Sequence, residues 1–230
     1  MRPAAIFWDM DGTLTDSEPL WEEATYKLSE MVGRRLTPEL RRATVGATFS
    51  TTFAICAEWA GVVPQPGDEE RFQAAMFDYA SSLYDSRLVI FPGVRELLGQ
   101  LRADGVTMML TTNTQRAVAD PVIDAIGRDF FDDTICGDEV PSGKPAPDMY
   151  LEAARRAGAA PADCLVFEDS TAGMTAATGA GCVVIGLPAD DTIVVPAGVT
   201  VISELHTASH LVGATAGDVY EWFRAASNAQ

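Results

Sequence analysis

The chain has 230 residues, enough for one or two domains with a large core. Its 33 acidic residues outnumber 16 basic ones, for a net charge of −17, and a pI of about 4.3 excludes the basic surface of a nucleic-acid or anionic-lipid binder. An anionic ligand therefore has to be gripped by a local device, and only Lys27 and Lys144 offer an ammonium group for it.

The chain opens with a short apolar run, residues 4–8, of the kind that forms a strand buried on both faces. It reaches Asp9 and Asp11 before a signal-peptide apolar region could form. Residues 17–87 then read as helical throughout. Ser17 is placed to cap the first helix, with Glu18 and Pro19 in its first turn, and Leu20, Trp21, Ala24, Leu28 and Met31 recur at helical spacing. Turn signals fall at Gly33, Thr37-Pro38, Gly46 and residues 63–67. Phe91-Pro92-Gly93 marks a change of pattern. From there helix-like segments at 93–103, 115–126, 147–157 and 171–179 alternate with strand-like runs at 106–111, 133–136, 164–167 and 182–187. A closing strand edge and helix are expected within 203–226.

This alternation predicts an α/β fold: a Rossmann-like, doubly wound, mainly parallel sheet with an all-α insert. The expected domains are a core from residues 1–16 and 88–230 and a helical domain from 17–87. No apolar run approaches the ~20 residues of a membrane span. Cys56, Cys136, Cys164 and Cys182 form no CxxC pair and no zinc spacing with histidine. They read as buried free thiols, and a cytoplasmic protein is expected.

Four segments carry the chemistry. The first strand ends in Asp9-Met10-Asp11-Gly12-Thr13, with two carboxylates on one side of an extended chain. A second run ends in Thr111-Thr112-Asn113. Lys144 is pinned between Gly143 and Pro145, and another run ends in Glu168-Asp169-Ser170. Each alone also fits a blander role: a solvated strand end, a helix cap or a loop lysine. Together they all fall at or just beyond the carboxyl ends of predicted strands, where open α/β sheets place ligands. Carboxylates from two strands suggest a hard cation such as Mg²⁺, and the hydroxyl, amide and ammonium groups suggest a phosphate.

As an ordered set, DxDGT, strand-TN, GKPxP and strand-EDS resemble the four motifs of the haloacid dehalogenase superfamily of phosphohydrolases. The helical insert after the first motif resembles the cap of its branch containing β-phosphoglucomutase and sugar-phosphate phosphatases. The resemblance implies an Mg²⁺-dependent phosphatase acting on a small phosphorylated metabolite, a sugar phosphate foremost, through an aspartyl-phosphate. It implies that Asp9 is the nucleophile and Asp11 the general acid and then base. Gly12, Thr112, Asn113 and Lys144 join Asp9 around the phosphate. Mg²⁺ is held by Asp9, Asp11 and Asp169, with Glu168 acting through water or behind the direct ligands. Glu18, Trp21 and Phe49 are the expected cap contacts, against the simpler role of cap packing for the two aromatics. Arg34-Arg35 and Arg41-Arg42 either read a second anion or form a solvated face. A monomer or weak dimer is expected.

The alternative within the family is a phosphomutase. The mutase pattern has a cap histidine where Trp21 stands and an arginine, three residues after a cap glycine, where Phe49 follows Gly46. Metal-free dehalogenases lack the second aspartate of the first motif, and phosphonatases need a cap lysine at a position that Lys27 does not match. A non-enzymatic metal-binding regulator is disfavoured by the complete motif set.

Overall fold

The computed structural model describes residues 2–45, 47–208 and 210–228. Gly46, the glycine from which Phe49 is counted, lies outside the described residues. The chain divides into two compact units, Met1–Asp16 with Val89–Gln230, and Ser17–Leu88. Leu88 falls with the helical unit, one residue beyond the boundary expected from the sequence.

In chain order the elements begin with β1 (Ala5–Trp8) and β2 (Thr15–Asp16). The helical unit holds α1 (Glu18–Val32), α2 (Pro38–Arg42), α3 (Phe49–Ala60) and α4 (Asp68–Arg87). Next come β3 (Val89–Ile90), α5 (Val94–Ala103), β4 (Thr107–Thr111), α6 (Arg116–Ile126) and β5 (Asp133–Ile135). The chain continues with α7 (Asp148–Ala157), β6 (Cys164–Glu168), α8 (Thr171–Ala180), β7 (Val183–Gly186), β8 (Val199–Val201) and α9 (Ala216–Ser227).

The main sheet has the order β5-β4-β1-β6-β7-β8, and every neighbouring pair is parallel. The chain leaves β1 toward β4 and β5, then returns to build β6, β7 and β8 on the other side. The strand order thus reverses at β1/β6, and this switch point is where a crevice opens beyond the strand ends. The α/β class expected from the sequence is what the sheet shows.

Apolar side chains on both faces explain the uninterrupted runs. All residues of β1, β6 and β7 are buried. Phe7 faces α7, with its ring 6.5 Å from that of Tyr150. Trp8 points the other way and stacks on its register partner Phe167 at 4.3 Å, which meets Trp222 of α9 edge-on. Helix α5 buries Val94, Leu97, Leu98 and Leu101, an i, i+3, i+4, i+7 stripe. Burying a Leu, Val or Phe side chain contributes about 1.5–3 kcal/mol, so these two faces dominate the unit's stability. All four cysteines are buried and unbridged.

Two features differ from the sequence reading. A two-residue antiparallel pair, β2 with β3, joins Thr15 to Ile90 and Asp16 to Val89. The last strand lies at 199–201, before residue 203, and a 3₁₀ turn at Ile202–Glu204 occupies the start of the expected span.

In the helical unit, α1 is the hub, burying Leu20, Ala24, Leu28 and Val32. Thr37 and Thr48 cap α2 and α3, accepting from the backbone N–H groups of Leu40 and Thr51. No helix among the described residues is long and apolar enough to cross a membrane.

Candidate active site

The site is built at the carboxyl ends of three adjacent strands. Asp9 follows β1, Thr112 follows β4, and Glu168 is the last residue of β6. The Asp9 backbone N–H donates to Phe167 O at 3.1 Å, continuing the ladder one residue past the strand. This fixes the Asp9 side chain relative to Glu168 through backbone alone.

Lys144 reaches the same point from the loop before α7. Its Nζ donates to Asp9 Oδ1 at 2.6 Å, Glu168 Oε1 at 2.6 Å and Thr111 O at 3.0 Å. Those three bonds use all three ammonium protons. Asn113 holds the loop: its Nδ2 donates to Lys144 O at 3.0 Å, and its Oδ1 accepts from Lys144 N at 2.8 Å. The Asn113 side chain thus orients the lysine, a role that the motif reading did not assign.

Glu168 is fully buried. Besides Lys144, its Oε1 accepts from Tyr150 Oη at 2.8 Å, and its Oε2 accepts from Ser170 N at 3.2 Å and Ser170 Oγ at 3.1 Å. Both carboxylate oxygens are therefore engaged by protein donors. Space for them comes from Gly173, where an added Cβ would overlap the Glu168 carboxylate. Asp169 accepts from Thr13 Oγ1 at 3.3 Å. Gly12 has φ +84°, and a Cβ there would collide with the Asp169 carboxylate. Glycine is needed at this position for both backbone and space. Asp11 Oδ2 accepts from Thr112 Oγ1 at 3.2 Å and Thr114 Oγ1 at 2.8 Å.

The electrostatics call for a cation. Carboxylate oxygens of Asp9, Glu168 and Asp169 lie within 4.8 Å of one another, with the single ammonium of Lys144 against them. Burial, then the Glu168 charge, raises the Asp9 carboxyl well above its ordinary value, only partly opposed by Lys144. Burial and Glu168 likewise push Asp169 up to about 7. Burial alone would lower the Lys144 pKa, but Asp9 and Glu168 more than offset it and hold the ammonium charged. Burial and Glu168 also raise Tyr150, so its hydroxyl stays a donor. An all-oxygen, acid-rich donor set fits a hard divalent ion such as Mg²⁺.

The structure thus brings together Asp9, Asp11, Gly12, Thr112, Asn113, Lys144, Glu168 and Asp169. It adds Thr114 and Tyr150, which the motif reading missed. Tyr150 had a weak signal: it is the polar-tipped member of the buried face Met149, Tyr150, Ala153 and Ala154 of α7.

Within the helical unit, Trp21 and Phe49 are half-buried and both touch Phe77, at centroid distances of 6.2 Å each. Phe49 also stacks on Phe53 at 6.1 Å. The arginine pairs have partners inside this unit. Arg34 lies 3.6 Å over the Trp59 ring, Arg35 pairs with Glu30 and Arg42 with Glu39. Arg41 departs from the expected solvated face: it is buried and donates to Glu18 Oε1 at 2.7 Å and Thr44 Oγ1 at 3.3 Å. Buried guanidinium is retained only where a partner compensates its lost hydration.

A family model of haloacid dehalogenase-like hydrolases matches residues 3–181. The chain belongs to that family. It is 32% identical over 178 residues to a phosphorylated carbohydrates phosphatase of Thermotoga maritima, covering 77% of this chain and 81% of the relative. It is 30% identical over 191 residues to hexitol phosphatase B of Escherichia coli K12, covering 82% and 84%. Among solved structures, CbbY of Rhodobacter sphaeroides in complex with phosphate superposes with a TM-score of 0.73 and 26% identity, over 82% of this chain and 87% of that one. As a haloacid dehalogenase-like hydrolase, the chain is an enzyme, and the matched span contains every site residue named above.

Proposed function

We propose that the protein is an Mg²⁺-dependent phosphatase of small organic phosphate monoesters, sugar and sugar-alcohol monophosphates foremost, working through a phosphorylated Asp9. The observation that carries this reading is the buried Asp9–Lys144 pair set beside Asp169 and Asp11 at the strand ends. The two phosphatase relatives support the substrate class.

Asp9 attacks phosphorus as the bond to the leaving oxygen breaks, and Asp11 gives its proton to that oxygen so that the alcohol departs. Asp11, now a carboxylate, takes a proton from water. The water oxygen bonds phosphorus as the Asp9–phosphorus bond breaks, which releases inorganic phosphate and restores Asp9. The Thr112 hydroxyl and the Gly12 and Asn113 backbone bind the phosphoryl oxygens, and Lys144 neutralises the nucleophile. Asp9, Asp169 and the Asp11 backbone carbonyl would hold Mg²⁺, with Glu168 behind them, since its oxygens serve Lys144, Tyr150 and Ser170. The ion would supply positive charge for the oxygens of a loose phosphoryl transition state. Ser17–Leu88 is proposed as the cap, with Glu18, Trp21 and Phe49 as candidate leaving-group contacts.

Excess EDTA should remove nearly all activity, and Mg²⁺ should restore it. Full activity in the chelator would contradict the metal assignment. A phosphatase is favoured over a mutase because a mutase must also grip a second phosphate. Arg34, Arg35, Arg41 and Arg42 already have partners in their own unit, and Trp21 and Phe49 belong to an aromatic cluster. The test is an assay of phosphate release across hexose, hexitol and smaller monophosphates, beside a coupled assay of β-glucose 1-phosphate with a bisphosphate primer. Phosphate release should dominate. Isomerisation faster than release would establish the mutase.

A further inference from the structure

The fully buried Glu168 carboxylate is met by four donors. Lys144 Nζ at 2.6 Å and Tyr150 Oη at 2.8 Å share Oε1, while Ser170 N at 3.2 Å and Ser170 Oγ at 3.1 Å share Oε2. A carboxylate offers about four lone-pair sites, so each is used. Two of these donors have another task, and a third is main chain. Lys144 also holds Asp9 Oδ1 at 2.6 Å, and the Ser170 hydroxyl accepts from Gly173 N at 3.0 Å as the cap of α8. Among the described residues, the Tyr150 hydroxyl bonds Glu168 alone.

The packing of α7 does not need that oxygen. The Tyr150 ring is fully buried, lies 6.5 Å from the Phe7 ring and has its face 5.2 Å from Lys144 Nζ. What the oxygen does is electrostatic. Asp9 Oδ1 and Glu168 Oε1 both lie 2.6 Å from the same Nζ, so two carboxylates compete for one ammonium. A hydroxyl donating to Oε1 offsets part of the Glu168 charge and weakens its hold on Lys144. More of the ammonium is then left for Asp9 and for an anion beside it. In a water-poor site such a bond is strong, and no solvent replaces it when it is lost.

We propose that the Tyr150 hydroxyl is a positioning group that divides Lys144 between Glu168 and Asp9, and so sets the charge balance that lets the site accept a divalent cation and a phosphate together. The inference rests on the function proposed above. Without the hydroxyl the site is more negative, so a divalent cation should bind more tightly and phosphate more weakly. A group that only supports the structure gives a different signature, because loosening the site weakens both.

The experiment measures Mg²⁺ binding, and inorganic phosphate binding at saturating Mg²⁺, by titration calorimetry at one fixed pH. It compares wild type with Tyr150→Phe, which keeps the ring and removes only the oxygen, each first checked by circular dichroism. Mg²⁺ affinity should rise by about two- to tenfold and phosphate affinity fall by about as much, a part of the roughly 10–100-fold that deletion of a group supporting a metal site produces. Ser170→Ala reads the same balance from Oε2, since it removes a hydroxyl donor and leaves the main-chain one. It should shift both affinities in the same two directions. Weaker binding of both ligands, no change in either, or a Tyr150→Phe variant that does not fold would overturn the proposal. Wild type separates the two kinds of failure. If it binds both ligands and the variants show no opposed shifts, only the role of Tyr150 falls. If wild type binds neither, the proposed function fails, and this inference with it.

Discussion

Asp9→Asn should lower kcat by about 10⁴-fold or more, as loss of a catalytic nucleophile does, while leaving a folded protein. The amide is nearly isosteric, and Asp9 is already held by backbone contacts that the change does not touch. What it removes is the charged oxygen that attacks phosphorus and the partner of Lys144 Nζ at 2.6 Å. Removing a carboxylate whose pKa burial already raises takes a strained charge from the pocket, so thermal stability should hold or rise in metal-free protein. Steady-state phosphate release and thermal unfolding check both statements. A variant retaining more than about a few per cent of wild-type kcat would remove Asp9 from the covalent step.

Lys144→Ala should lower kcat/KM by about 10²–10³-fold, the scale found when one preorganised electrostatic group is deleted. It should also destabilise the fold, because Asp9 and Glu168 lose the ammonium that compensates them in a buried site. Added Mg²⁺ should return part of the stability, since a cation bound by Asp9 and Asp169 relieves the same repulsion. The control is Lys27→Ala. Lys27 is exposed on α1, with its Nζ 5.9 Å from the Tyr79 ring centroid, so its loss should change kcat/KM by less than about twofold, the usual scale for exposed cation–π contacts. Equal, mild effects of the two changes would take Lys144 out of the site.

The sequence made the core readable because strands buried on both faces leave uninterrupted apolar runs. Ala5–Trp8 and Cys164–Glu168 have no polar residue before their ends, so the carboxylates that follow them stand out. Position at a strand end is a local property, and Asp9, Thr112 and Asp169 were legible through it. The pair β2–β3 was not, because two residues carry no period and their pairing spans the whole helical unit. The strand at 199–201 is half-buried throughout and lacks the apolar signature of its neighbours. Thr114 and Tyr150 were missed for a different reason. Each reaches the site through tertiary contact, with Asp11 103 residues away and with Glu168 18 residues away, and neither is distinguished by its near neighbours. The buried Arg41 is a similar case: its partner Glu18 lies 23 residues back, and nothing in the Arg41-Arg42 pair says which of the two turns inward.

The central claim, a phosphoryl group carried on Asp9, is most directly tested by acid-quenching the enzyme in mid-turnover and mapping the covalent adduct by peptide mass spectrometry. The Asp11→Asn variant with p-nitrophenyl phosphate is the favourable sample, since that substrate phosphorylates Asp9 without an acid while hydrolysis lacks its base. The predicted result is a single added phosphoryl group on the peptide containing Asp9, absent from Asp9→Asn and lost on chase in active wild type. An adduct on another residue, or steady turnover by wild type with no adduct in either enzyme, would contradict it.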